Sequence, residues 1–375
     1  MYQPSNDSSA LFSCYKFWYD YRCVLIEGEM EMSEKLNFAC DYAKGAHPAI
    51  MRQMMDTNML KTTGYGFDKF SESAKNRIRE ACGCKDAVVE FLIGGTQTNA
   101  VMIDAFLKSY QGVIAAQTGH ISTHEAGAIE SGGHKVLTLP QQSGKLSIED
   151  VEQYLEDYYQ DENHEHMVMP GMIYLSQPTE YGTLYSRDEL QAFRNICDKY
   201  DLSLYVDGAR LAYALASPAN DVTLRDLAKL CDVFYIGGTK CGALFGEAVV
   251  IPDPGKIPHL FTIIKQHGAL LAKGRLLGIQ FDELFRDDLY LRIGRPAITA
   301  AERIQKALQE KGYRLYFETP TNQIFCIMEN RALERFGEKV EYGFWEKYDE
   351  DHTVIRLATD WGTTGEEITA LIDAL

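Results

Sequence analysis

The sequence predicts an α/β protein built on a buried, mostly parallel sheet, and three stretches predict it. Leu202 to Val206 is a short apolar run that stops at Asp207. Cys231 to Ile236 is another, stopping at Gly237, Gly238, Thr239 and Lys240. Val88 to Ile93 is the third; it runs into Gly94, Gly95 and Thr96, after which the spacing turns helical. Apolar runs this short, bounded by Gly or Asp, read as strands buried on both faces. Ligands of open α/β sheets sit outside the carboxyl ends of the strands, so Asp207 and Lys240 are expected in one crevice.

A carboxylate and an amine at strand ends suit pyridoxal 5'-phosphate (PLP). A lysine amine can condense with the cofactor aldehyde. A carboxylate beside the pyridine nitrogen keeps it protonated, which lets the ring accept electrons. The small residues before Lys240 allow a sharp backbone turn beside a flat ring. Spacing alone serves a surface lysine and a helix-capping aspartate just as well.

Composition narrows the function classes. At 375 residues the chain is long enough for two or three domains and a large core. The net charge of −17 argues against nucleic acid as the main partner. It does not bear on a phosphorylated cofactor, which needs only local donors. The nine cysteines are scattered, with only Cys82 and Cys84 close together, so neither a disulfide framework nor zinc spacing is present. A reducing cytoplasm with mostly buried thiols is expected. No apolar run approaches the length of a membrane span.

DGARLAYA, followed 33 positions after its Asp by the lysine of GGTKCGALFGEA, resembles the threonine aldolase and β-eliminating lyase family of fold-type I PLP enzymes. The resemblance runs from about Leu36 to Leu375. It implies a three-layer α/β/α large domain around a seven-stranded, mostly parallel sheet, with a small C-terminal α/β domain. The expected division is 36–285 for the PLP-binding domain and 286–375 for the small C-terminal domain, with 36–54 packing with the small domain. It also implies a homodimer or homotetramer with shared active sites. The implied reaction is retro-aldol cleavage of threonine or allo-threonine to glycine and acetaldehyde. The alternatives are β-elimination or another PLP reaction on an amino acid, and a non-catalytic PLP-fold subunit that binds a partner.

The remaining elements follow in chain order. Residues 1–35 contain the aromatic stretch LFSCYKFWYDYRCVLI, which lacks a cleavage site and makes a poor signal peptide. Either Met30 or Met32 is the biological start, or this stretch is an arm packed on a neighbouring subunit. In NFACDYAKGAHPAIM the family often has a serine before the Asp, where it meets the substrate carboxylate; Cys40 stands there instead. His47 reads as a loop or packing residue. Gly64, Tyr65 and Gly66 form a turn, with helical spacing from Ser71. The resemblance places Tyr65 near the substrate, commonly in the adjacent subunit's site.

The turn at Gly94, Gly95 and Thr96 opens a helix, whose free N–H groups and dipole suit a phosphate. The resemblance makes it the phosphate cup, with Gln97 and Asn99 as further donors. The strand Val113 to Ala116 leads to His120, which matches the family histidine that stacks on the pyridine ring. His124 reads as a packing residue, and Glu125 as a group orienting either histidine. His164, Glu165 and His166 sit in a solvated acidic run without a further ligand, so no metal is expected.

In SQPTEYGTLY the family carries a histidine that approaches the substrate hydroxyl, and Thr179 takes its place. Gln177, Thr179 and Glu180 are polar candidates there. His120 becomes the candidate base, since a threonine cannot act as one at neutral pH. Arg275 matches the family arginine that supports the cofactor phosphate, with Lys265 and Lys273 as surface charges. RLYFETPTNQIFCIM reads as strand, turn, strand. VIRLATDWGTTGEEITALIDAL reads as strand, loop and terminal helix, capped by Thr363 or Thr364. Arg356 matches the family arginine that pairs with the substrate α-carboxylate, a fork suited to bidentate contact, with Arg210 as companion.

Overall fold

The computed structural model describes residues 35–375. The two readings of the N-terminal stretch concern positions before Lys35 and lie outside the described residues. The main sheet has seven strands in the order Val88–Leu92, Glu247–Ile251, Val233–Gly237, Ser203–Asp207, Met169–Ser176, Gln111–Ala116 and Val136–Leu139. Glu247–Ile251 runs antiparallel to both of its neighbours. The other pairings are parallel.

Alternation within each strand sends side chains to two separate apolar layers, as a sheet covered on both faces requires. Val89, Phe91, Leu204, Val206, Phe234, Ile236, Ala248 and Val250 pack on one face. Val113, Met172, Tyr174, Tyr205, Val233, Tyr235 and Val249 pack on the other. Each such aliphatic or aromatic side chain, fully buried, contributes on the order of 1.5–3 kcal/mol. The sequence-derived strand limits hold to within a residue or two, because the apolar run ends where the strand meets solvent.

The helix Lys69–Cys82 begins two residues before the expected Ser71. Asp68 caps it, accepting from Phe70 N and Ser71 N at 3.0 Å each, and Gly83 closes it with φ of 64°. It crosses the helix Arg275–Leu284 at Gly278, where an added Cβ would lie 2.5 Å from Ser71 N. Only glycine permits that approach, and it fixes the angle of both helices beneath the sheet.

A second sheet has four antiparallel strands in the order Arg314–Phe317, Gln323–Glu329, His352–Ala358 and Gly343–Lys347. Its own apolar core includes Ile324, Cys326, Ile355, Leu357 and Ile368. Leu36–Asn37 pairs in parallel with Val340–Glu341, and Phe38 joins the same core. The terminal helix Gly365–Ala374 starts on a capping box between Thr364 and Glu367. The two sheets meet where Ser217 Oγ donates to Pro320 O and Thr321 Oγ1 donates to Gly182 O.

Candidate active site

The carboxyl ends of the central strands open on a cleft of about 290 Å³. Lys240 is held there by its backbone. Gly238 N and Thr239 N donate to Gly246 O at 3.0 and 3.1 Å, and Tyr213 OH donates to Lys240 O at 2.6 Å. Gly246 makes this possible with φ of 110°, a conformation other residues rarely take. The side chain is therefore the mobile part of a fixed residue. Burial lowers the pKa of the Lys240 amine, and Arg210 lowers it further, against the pull of Asp41, Asp207 and Glu247. An amine placed this way reaches its neutral, nucleophilic form more easily than a surface lysine.

Asp207 ends the strand Ser203–Asp207 and lines the same cleft. Its Oδ1 accepts from Ala209 N at 2.9 Å. Its Oδ2 accepts from Tyr174 OH at 2.5 Å and from Asn99 Nδ2 at 3.1 Å. Asn99 Nδ2 also donates to Glu125 Oε1 at 2.7 Å, while Tyr205 OH donates to Asn99 Oδ1 at 2.8 Å. The amide thus gives one hydrogen to each carboxylate and accepts one, which fixes its orientation. Glu125 in turn holds His120 Nδ1 at 2.7 Å. His120 and Asp207 are therefore set by one continuous polar chain beneath the cleft.

At the other end, Gly95 and Thr96 line the cleft at the start of the helix Gly95–Phe106, which has no side-chain cap. Its first-turn N–H groups are left for a ligand, and an anion suits them. An uncapped helix start, an anchored carboxylate and a lysine with a depressed pKa around one cleft fit a PLP phosphate, pyridine nitrogen and aldehyde respectively.

Arg210 also lines the cleft, but two of its three nitrogens are committed. Its Nε and Nη2 donate to Asp41 Oδ2 and Oδ1 at 2.6 and 3.0 Å. Asp41 is fully buried and also accepts from Asn322 Nδ2 at 3.0 Å. Burial alone would raise the pKa of Asp41; Arg210 and Lys240 outweigh it and bring it to about 2. Arg356 stands close by, donating to Ala39 O at 2.9 Å and Gln323 Oε1 at 3.3 Å, with its buried Nε lacking a partner. Burial, and then the nearby Arg210, lower its pKa. Arg356 does not line the cleft itself, but beside Arg210 it leaves guanidinium donors at this corner that suit a carboxylate ligand.

Three of the expected residues lie elsewhere. Arg275 does not reach the cleft; its guanidinium donates to Thr57 O, Leu60 O and Asn58 O at 2.9–3.0 Å, sealing the end of the helix Pro48–Thr57. Tyr65 is exposed at the surface, with Lys265 Nζ 4.9 Å from its ring centre. Thr179 is buried in its own loop, where its hydroxyl meets Thr183 Oγ1 at 2.7 Å. Its neighbour Glu180 lines the cleft instead. A one-residue difference in a loop reverses which side chain faces in, and no hydrophobic period marks the choice.

Glu247 was not singled out from the sequence, although an acidic residue opening the apolar strand Glu247–Ile251 is a visible signal. It accepts from Gly238 N at 2.9 Å and Thr239 Oγ1 at 2.8 Å, tying down the turn that carries Lys240. Burial pushes its carboxyl up to about 7. A carboxyl with a raised folded pKa stabilises the fold below its unfolded pKa, and that contribution is lost as pH rises through the folded value. In the cofactor-free protein, stability should therefore fall between about pH 4.5 and 7 by on the order of 3 kcal/mol from this group. Urea titrations across that range should show a flatter pH dependence for Glu247→Gln; an unchanged slope would assign the decline to other groups.

Comparison with known proteins agrees with this geometry. The family model for the β-eliminating lyases matches residues 37–329. The chain is 31% identical over 303 residues to a low specificity L-threonine aldolase of Pseudomonas aeruginosa, covering 79% of this chain and 85% of that protein. A solved Leishmania major threonine aldolase is 42% identical, with a TM-score of 0.87, covering 90% of this chain and 97% of that one. A Thermus thermophilus aspartate aminotransferase shares the fold alone, at 14% identity and a TM-score of 0.67 over the full chain.

Proposed function

This chain belongs to the β-eliminating lyase family of PLP enzymes, and we propose that it cleaves threonine or allo-threonine to glycine and acetaldehyde by retro-aldol chemistry. The observation that carries this reading is the likeness to the Leishmania major threonine aldolase across 90% of the chain, in sequence and in shape. The cofactor supplies an electron sink for the pair released at the substrate α-carbon.

The chain's own residues supply the rest. Lys240 would hold the cofactor aldehyde, Gly95 and Thr96 its phosphate, and Asp207 its ring nitrogen. His120, steadied by Glu125, would flank the ring. Arg356 takes the substrate α-carboxylate, and Arg210, braced by Asp41, keeps that corner positive. Fixing the carboxylate decides which bond at the α-carbon is presented for cleavage. Residues 36–285 form the cofactor-binding unit in this reading, and residues 286–375 bring Arg356 to it.

Tyr65 fits this scheme in a homodimer or homotetramer, where it serves a neighbouring copy's site. Support comes from the exposed apolar side chains Met55, Met59, Phe67 and Phe261. We also place the protein in the cytoplasm, a setting that suits the buried free thiols of Cys82, Cys197, Cys231, Cys241 and Cys326. Among the described residues no helix is long and apolar enough to cross a membrane.

Incubation of the purified holoenzyme with threonine and with allo-threonine tests the reaction. Glycine and acetaldehyde should form in equal amounts, without matching ammonia and 2-oxobutanoate. Dominant ammonia and 2-oxobutanoate would replace the aldolase reading with β-elimination. An absence of any product from amino acids would favour a non-catalytic binding subunit.

A further inference from the structure

We propose that Glu180 takes the proton of the substrate β-hydroxyl as the Cα–Cβ bond breaks. This rests on the retro-aldol reading above and names its acid–base group. The loop at 177–183 turns Thr179 away from the cleft and Glu180 into it. Glu180 Oε1 accepts from Ser176 Oγ at 2.7 Å and from His120 N at 2.9 Å. Its Oε2 has no hydrogen-bond partner among the described residues and is not sealed from the cleft. Two bonds therefore fix the carboxyl group, and one oxygen is left to meet a ligand O–H.

The surroundings suit a proton acceptor. Burial raises the Glu180 pKa and Asp207 adds to the rise, against the bond from Ser176, its own backbone N–H and the nearby His120. A carboxylate in this setting holds a transferred proton more readily than an exposed one. His120 is the rival group: Glu125 holds its Nδ1, and its Nε2 has no hydrogen-bond partner among the described residues, so His120→Asn is the comparison variant and should cost cleavage much less than Glu180→Gln. Glu180 is tied to the His120 backbone, not to its ring, and contributes an uncommitted oxygen to the cleft.

The step balances without a further reactant. The hydroxyl proton passes to Glu180 Oε2, the β-carbon keeps its oxygen as the aldehyde C=O, and the electron pair of the broken bond stays with the α-carbon. The α-carbon gains one proton from the Lys240 side to give glycine, and Glu180 releases the one it took to water in the open cleft, so the carboxylate is restored and the count closes.

Glu180→Gln in the holoenzyme tests this, because its amide oxygen can still accept from Ser176 Oγ and His120 N. Three quantities are compared with the parent: threonine cleavage, glycine affinity from the cofactor absorbance, and exchange of the glycine α-hydrogen into D₂O by NMR. Glycine has no β-hydroxyl and reports the site without the proposed step. Loss of one proton-transfer group should lower kcat for cleavage by about 10²–10⁴-fold, while glycine affinity and exchange stay within about twofold. Partial recovery in Glu180→Asp, with a shifted pH profile, would support the assignment. Cleavage that survives in Glu180→Gln overturns it. So does an equal fall in glycine affinity and exchange, which would make Glu180 a shaping residue only. Parent enzyme that exchanges glycine yet releases no acetaldehyde overturns the aldol reading and this inference with it, before any variant is made.

Discussion

Lys240→Ala should lower threonine cleavage by at least about 10⁴-fold, beyond the usual loss for a single proton-transferring group. In the proposed scheme the lysine would attach the cofactor and transfer a proton near the α-carbon, so its removal would take both at once. Its environment explains why this amine is suited to the task. Burial lowers its pKa, Arg210 adds to that, and the turn through Gly238 and Gly246 keeps its backbone still. Borohydride reduction of the parent holoenzyme, followed by peptide mapping, should place a pyridoxyl group on Lys240 alone. A label on another lysine, or a variant that keeps turnover, would remove Lys240 from its assigned place.

Asp41→Ala should destabilise the protein by about 3–5 kcal/mol, the range for stripping one partner from a buried ion pair. The Asp41 side chain has no exposed surface, and that of Arg210 is 11% exposed. Without Asp41, Arg210, Lys240 and Arg356 would share a low-dielectric corner with no bonded counter-charge, and Asn322 would lose an acceptor. Asp41→Asn, which keeps acceptor and donor atoms but not the charge, should fall between the parent and Asp41→Ala. Denaturant titration gives both values. A loss below about 1 kcal/mol would mean that the pair behaves as a solvated surface contact.

Much of the large sheet was legible because strand burial is a local property of composition. A short apolar run ending in Asp or Gly carries its own limits, and so Asp207, Lys240 and the turn at Gly95 could be placed at strand ends before any contact was known. Asn99 was expected as a donor beside the phosphate turn, whereas its amide bonds Glu125 and Asp207 instead. His120 followed from its position just beyond the strand Gln111–Ala116.

Local pattern gave no access to pairs far apart in the chain or to side-chain direction in loops. Asp41 and Arg210 are 169 positions apart, and nothing in either segment announces the other. The apolar period of Tyr174, Tyr205 and Tyr235 reads as plain core, whereas two of their hydroxyls support Asp207 and Asn99. Arg275 looked like a phosphate ligand in one dimension and is bound to helix-end carbonyls in three. Of the loop candidates Gln177, Thr179 and Glu180, Glu180 alone lines the cleft. The sequence by itself determined the strands and which residues stand at their ends, because burial and turn formation depend on adjacent residues. Only the tertiary structure decided which charge neutralises which and which loop side chain enters the cleft, because those depend on where the topology brings separate segments together.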